Sequence, residues 1–282
     1  MTTLQAIVLG ILQGATEFLP ISSTAHLLIV PKLLNWPDPQ ASFSAVIQIG
    51  TLIAVVIYFW DDIVRLLLGT LRGARSGQLL GNPDARLAWM IVVGTLPVVV
   101  VGLALKDWIE NEFRRIEVVA GALIGLALIL ALAEWLWQRR QKPARELSAI
   151  TWTDALLIGF AQTLALIPGS SRSGVTITAA LFLGFSRPTA ARFSFLLSLP
   201  AIFGAGVYQL YAHRTALLGT QEQIFYLVLA TVISGLVGYA SIAFLLRYLQ
   251  KRSTLLFIGY RIALGILLLA LLGLGVISGK GS

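Results

Sequence analysis

The chain has 282 residues, 57% of them hydrophobic and only 12% charged, and its mean hydropathy is +0.85. Soluble domains carry about a quarter charged residues, so this composition excludes an ordinary soluble fold and predicts an all-α polytopic membrane protein. The net charge of +8 does not argue for nucleic acid, because the basic residues sit in short loops between apolar runs, and the absence of cysteine excludes disulfides and thiolate metal sites.

Leu4 to Leu19 is apolar except for Gln5 at its start and Gln13, Thr16 and Glu17, and it stops at Pro20. Sixteen residues make ~24 Å of helix, short of the ~30 Å hydrocarbon core of a bilayer. A polar turn follows, Pro20-Ile-Ser-Ser-Thr-Ala-His26, and then Leu27 to Leu34, which together predict a re-entrant hairpin over 4–34. No Lys or Arg precedes Lys32, so the first apolar segment is expected to stay in the mature protein rather than act as a signal peptide.

Phe43 to Trp60 reads as a span ending at Asp61-Asp62, and Gly69 through Gly81 reads as a polar linker. Leu87 to Leu105, with Pro97 inside it, is the next span, and a mixed-charge loop runs from Lys106 to Glu117. Val118 to Trp137 spans again and ends in interfacial tryptophans. Ala155 to Ile167 is 13 residues, or ~20 Å, and breaks at Pro168-Gly-Ser-Ser-Arg-Ser-Gly174 before Val175 to Phe185, so a second re-entrant hairpin is expected over 155–185. Phe193 to Tyr211, Phe225 to Leu246 and Leu255 to Ile277 complete six transmembrane helices. His213 lies in a loop and reads as solvated.

If both hairpins return to the side they entered, one face collects thirteen Lys and Arg, in the loops Arg65–Arg86, Arg139–Arg145, Arg187–Arg192 and Arg247–Arg252. The other holds six: Lys32, Lys106, Arg114, Arg115, Arg214 and Lys280. The first face is then cytoplasmic and both termini lie outside.

An internal repeat is visible. Gly10-x-x-Gln13 followed by Pro20-x-Ser22-Ser23 recurs as Gly159-x-x-Gln162 followed by Pro168-x-Ser170-Ser171, and Ala41-x-Phe43-Ser44 recurs as Ala191-x-Phe193-Ser194. The single membrane domain, 1–282, thus divides into repeats of about 1–145 and 146–282, each with one hairpin and three spans. An odd span count turns the second copy upside down, an inverted-topology repeat whose polar turns meet near the midplane.

An ionisable residue inside the membrane is costly and marks a site. Gln13 and Glu17 share a helix face, and Glu17 is suited to hold a metal or act as a general base. Ser22, Ser23 and His26 follow within two turns, where a neutral imidazole could activate a hydroxyl or water. Arg172 with the hydroxyls of Ser170, Ser171 and Ser173 and the backbone of Gly169 and Gly174 suits phosphate at a helix start. No GxxxxGK[ST] is present, which argues against nucleotide hydrolysis of that type. Thr176, one turn along, either donates to the anion or bonds back to its own turn.

At these residues the chain resembles the BacA-type undecaprenyl-diphosphate phosphatases, over essentially its whole length. The resemblance rests on Gln13-Gly-Ala-Thr-Glu17-Phe-Leu-Pro-Ile-Ser-Ser23-Thr-Ala-His26 and Pro168-Gly-Ser-Ser171-Arg172-Ser-Gly-Val-Thr176; Gln13 stands where the family also uses an acid, and Ala25 where it usually has glycine. It implies hydrolysis of undecaprenyl diphosphate at the outer face of the bacterial inner membrane, assisted by Mg²⁺ or Ca²⁺ held by Glu17 and Gln13. It also implies Ser23 as nucleophile activated by His26 or Glu17, or water attack with His26 as base. Arg172, Ser171, Ser173 and Thr176 are expected on phosphate oxygens, with Ser22, Gly169, Ser170 and Gly174 lining the substrate. The expected partners are the polyprenyl diphosphate and membrane lipids, no nucleic acid, with a homodimer as a further option. A transporter or flippase of a phosphorylated lipid or small anion is the alternative, since inverted repeats with broken helices also serve transport.

Overall fold

A computed structural model describes residues 1–37, 40–105, 108–109 and 112–277 of the chain. Asp38, Lys106 and Lys280 lie outside the described residues. Helix α1 (Thr3–Glu17) starts at Thr2, whose hydroxyl caps Gln5 while the Gln5 side chain bonds back, a reciprocal pair that satisfies two orphan amides. The chain turns and resumes as α2 (Ser23–Leu33), then α3 (Gln40–Tyr58), α4 (Trp60–Arg75), α5 (Pro83–Ala104) and α6 (Ile116–Gln138). The second half holds α7 (Trp152–Gln162, prolonged by a 3₁₀ turn, Thr163–Leu166), α8 (Arg172–Phe182) and α9 (Arg187–Ala212). The short α10 (Arg214–Leu218), α11 (Gln221–Lys251) and α12 (Leu255–Gly273) close it.

Helices α5, α6, α9, α11 and α12 are each long and apolar enough to cross a membrane, and α3 with α4 adds a sixth if that bent pair is one span. The protein is a multi-pass, all-helical membrane protein. The polar linker expected from Gly69 through Gly81 is corrected in part: up to Arg75 it belongs to α4, which turns 78° from α3. The physical reason is amphipathicity. Leu66, Gly69 and Gly73 bury one stripe, Leu67, Leu68 and Leu71 remain exposed, Asp61 and Asp62 suit the helix start, and Arg72 and Arg75 suit its end.

Helix contacts here depend on close backbone approach rather than on apolar burial, since lipid is as apolar as leucine. A Cβ on Gly159 would lie 2.0 Å from the Gly94 carbonyl oxygen, so α7 meets α5 at van der Waals distance only through glycine. Helix α1 packs along α11, α7 along α5, α2 against α6 and α12, and α8 against α6. Ion pairs tie the loops at one end. Arg145 donates to both oxygens of Asp154 at the start of α7 (3.0 and 2.5 Å) and to the Leu183 carbonyl just after α8 (3.2 Å). Arg187 pairs with buried Glu134, which also accepts from Thr254 (2.9 Å), and Arg192 pairs with Asp62.

Candidate active site between the two polar turns

Two breaks in helix share an unusual local geometry. Ser22 and Ser171 are the caps of α2 and α8, and both are non-glycine residues with positive φ, 74° and 65°. Each hydroxyl accepts from the amide three residues on, Ala25 (3.4 Å) and Gly174 (3.2 Å). Such backbone is sparsely populated and persists only where surrounding contacts hold it. Gly169, at φ +95°, approaches α6 so closely that a Cβ would lie 2.4 Å from the Val119 carbonyl oxygen.

The turns touch each other. Gly169 N–H donates to Thr24 Oγ1 (3.3 Å), and Ser173 Oγ donates to the Leu19 carbonyl (3.2 Å). Where they meet, buried Glu17 is the hub. One carboxylate oxygen accepts from the Arg172 guanidinium; the other accepts from Gln13 Nε2 and from Ser23 Oγ, both at 2.7 Å. Gln13, Glu17, Ser23 and Arg172 are therefore together, as the sequence predicts. Ser23 is half-buried and Thr24 exposed, so the cluster is accessible on the side of the nucleophile candidate.

His26 lies elsewhere in the cluster. Its Nδ1 is 2.7 Å from the Ser22 carbonyl oxygen and its Nε2 is 2.6 Å from the Tyr260 hydroxyl, so neither nitrogen hydrogen-bonds Ser23. Ser171 and Ser173 bond each other (3.2 Å), with Ser171 also capping α8. The Ser170 hydroxyl is buried without a hydrogen-bond partner among the described residues. Of the two options for Thr176, the hydroxyl bonds back to the Arg172 carbonyl (2.8 Å) and meets Ser194 (2.6 Å).

Two residues of the site were not expected, Tyr260 and Arg261. Arg261 is fully buried in α12, where its Nη2 donates to the carbonyls of Ala122 and Gly169, both at 3.2 Å. Its Nε and Nη1 have no partner among the described residues, and a Cβ on Gly174 would lie 2.7 Å from Nη1. An arginine inside an apolar run was the available signal. With Arg172, Arg261 and Glu17, the cluster carries one positive charge in excess, at a helix start where Ser171 takes the Gly174 amide and the Arg172 and Ser173 amides lie outside the helical ladder.

Among known families, the one described as bacitracin resistance protein BacA matches residues 6–267. The undecaprenyl-diphosphatase of Chloroherpeton thalassium is 56% identical over 278 residues, 98% of each chain. That of Chlorobium phaeobacteroides is also 56% identical, covering 98% of this chain and 99% of the relative, and that of Prosthecochloris aestuarii is 55% identical with the same coverage.

Proposed function

The chain belongs to the bacitracin resistance protein BacA family, and we propose from that premise how it acts. It is an integral-membrane phosphatase that hydrolyses undecaprenyl diphosphate to undecaprenyl phosphate and inorganic phosphate, returning the lipid carrier to peptidoglycan synthesis. The observation that carries the mechanism is the Ser23 hydroxyl directed at Glu17, with Arg172 on the other oxygen of the same carboxylate.

Ser23 Oγ attacks the terminal phosphorus and Glu17 takes its proton. The bond to the bridging oxygen breaks, and undecaprenyl phosphate leaves with the electron pair and with the proton that Glu17 gives back to it. Water then attacks the phosphoserine, passing a proton to the Ser23 oxygen as inorganic phosphate departs. Arg172, Arg261 and the first amides of α8 are cations and donors for the charge that builds on the transferring oxygens, the main source of catalysis in phosphoryl transfer. Arg172 must turn part of its fork from Glu17 to the phosphate as the substrate enters. Ser171, Ser173 and Gly169 hold the second turn in shape, and His26 holds the first.

The donor set fits a hard cation. Gln13 Oε1 is buried beside Glu17 and has no partner among the described residues, so Gln13 and Glu17 would offer oxygens to Mg²⁺ or Ca²⁺. When bound, the ion would neutralise diphosphate charge and orient the two phosphates.

The reading includes an inverted-topology repeat with two re-entrant hairpins. Supporting it, the capping boxes at Thr2 and Thr151 and the positive-φ caps Ser22 and Ser171 stand in the same order, and α2 and α8 are both 11 residues long. The packing is reciprocal: α1 of the first half lies on α11 of the second, and α7 of the second on α5 of the first. Eleven residues make only ~17 Å of helix, and Arg145 binds both ends of the second hairpin. The loops predicted to share a face are joined through Arg145, Arg187 and Arg192. That face is the cytoplasmic side of the inner membrane, leaving both termini and the mouth of the site on the periplasmic side.

The test is phosphate release from undecaprenyl diphosphate in detergent by the intact protein and by Ser23→Ala, His26→Ala and Arg172→Ala. Release by the intact protein, lost in Ser23→Ala and Arg172→Ala, supports the reading. No release, but exchange of the phosphorylated lipid across vesicles, would replace it with a carrier.

A further inference from the structure

His26 is held at both nitrogens, and its two partners come from opposite ends of the chain. The Ser22 carbonyl can only accept, so Nδ1 carries the hydrogen and donates to it at 2.7 Å. In the neutral ring Nε2 is then an acceptor, and the Tyr260 hydroxyl donates to it at 2.6 Å. The two rings lie nearly parallel, 9° apart in plane with centroids at 5.7 Å. Ser22 is the strained cap at φ 74° that leads directly into Ser23. A continuous chain therefore runs from Tyr260 through His26 and the Ser22 carbonyl to the backbone of Ser23.

Tyr260 itself is 43% exposed, so it is no core filler. Packing alone would be served by phenylalanine; what the hydroxyl adds is one hydrogen bond to one nitrogen. We propose that Tyr260 is a positioning residue for Ser23, acting through His26: its hydroxyl holds the imidazole in the orientation that points Nδ1–H at the Ser22 carbonyl, and that bond braces the Ser22 turn. This rests on Ser23 being the nucleophile. It assigns the last helix of the second half a direct hold on the nucleophile turn of the first. Without the hydroxyl the ring loses its second anchor and is free to turn off the Ser22 carbonyl, and the turn relaxes while the phosphate-binding side of the site is unchanged.

The test combines kinetics with a spectroscopic readout in the full-length protein in detergent. Tyr260→Phe keeps the ring and is expected to lower kcat about tenfold, the weight of one hydrogen bond, with KM changed less than about twofold. His26→Ala combined with Tyr260→Phe should be no slower than His26→Ala alone. The chain has two histidines, so ¹⁵N spectra of histidine-labelled protein, assigned with His213→Asn, report His26 directly. The unaltered protein should show the Nδ1–H tautomer with a hydrogen-bonded Nε2, and Tyr260→Phe should shift Nε2 to the position of an acceptor without a donor and broaden the Nδ1–H signal. Additive kinetic losses, or a His26 spectrum unchanged by Tyr260→Phe, would overturn the proposal. If the unaltered protein released no phosphate, the nucleophile reading would fail, and the spectrum would still decide the hold on His26 by itself.

Discussion

Arg172 donates to Glu17 across 155 positions of sequence, and that pair closes the two polar turns on each other. Its side chains are largely buried, so the pair is fragile to half-removal: taking away one partner leaves an uncompensated charge. Arg172→Gln is expected to destabilise the fold by about 3–5 kcal/mol, and Glu17→Gln/Arg172→Gln together should cost less than the sum of the two single changes. Unfolding curves in detergent for the four proteins check this. Arg172→Lys, which keeps charge but loses the fork, should still lose about 10²-fold in kcat.

Gly169→Ala should be among the most damaging small substitutions. The added methyl meets both a positive φ and the Val119 carbonyl oxygen, and a loss of about 2–4 kcal/mol is expected. Gly121→Ala, where an added Cβ meets nothing within 4 Å, is the control and should be near neutral. Thermal unfolding of the two variants side by side makes the comparison.

Arg261 supplies the excess positive charge. Arg261→Met, of similar length, should fold, because it removes a buried ion without leaving an unpaired opposite charge. Its KM for undecaprenyl diphosphate should rise about tenfold or more, the scale of one charge-assisted hydrogen bond. Initial rates over a substrate series measure it, and an unchanged KM would remove Arg261 from the phosphate-binding set.

Gln13→Glu sets a second carboxylate beside Glu17. The expected result is opposite for stability and for metal use. Like charges lower the unfolding temperature in chelator, while the Mg²⁺ concentration giving half-maximal rate falls about tenfold. Titrating Mg²⁺ or Ca²⁺ into chelator-treated protein, with phosphate release as readout, decides whether Gln13 lies at the cation.

The polar turns were legible because proline, glycine and serine interrupt apolar runs too short to span. Glu17 and Arg172 were legible because a charge in an apolar run is costly unless it is paired or serves a ligand. Arg261 carries the same signal, but an otherwise continuous apolar helix masks it. Tyr260 carries none, since a tyrosine in a membrane helix reads as an interfacial anchor. Helix α4 was missed up to Arg75 because its charges suggest a linker, while its apolar residues recur at helical spacing only on one side. The partnering of Ser23 with Glu17 rather than His26 depends on the direction of a turn at φ 74°, which residue identity does not specify for serine.

The most direct measurement is rapid-quench mass spectrometry of the full-length protein during turnover of undecaprenyl diphosphate. A phosphoryl group on the Ser23 peptide that appears and decays at the rate of phosphate release, and is absent in Ser23→Ala, is the expected result. Undiminished turnover by Ser23→Ala, with no phosphopeptide at any time point, would contradict the account.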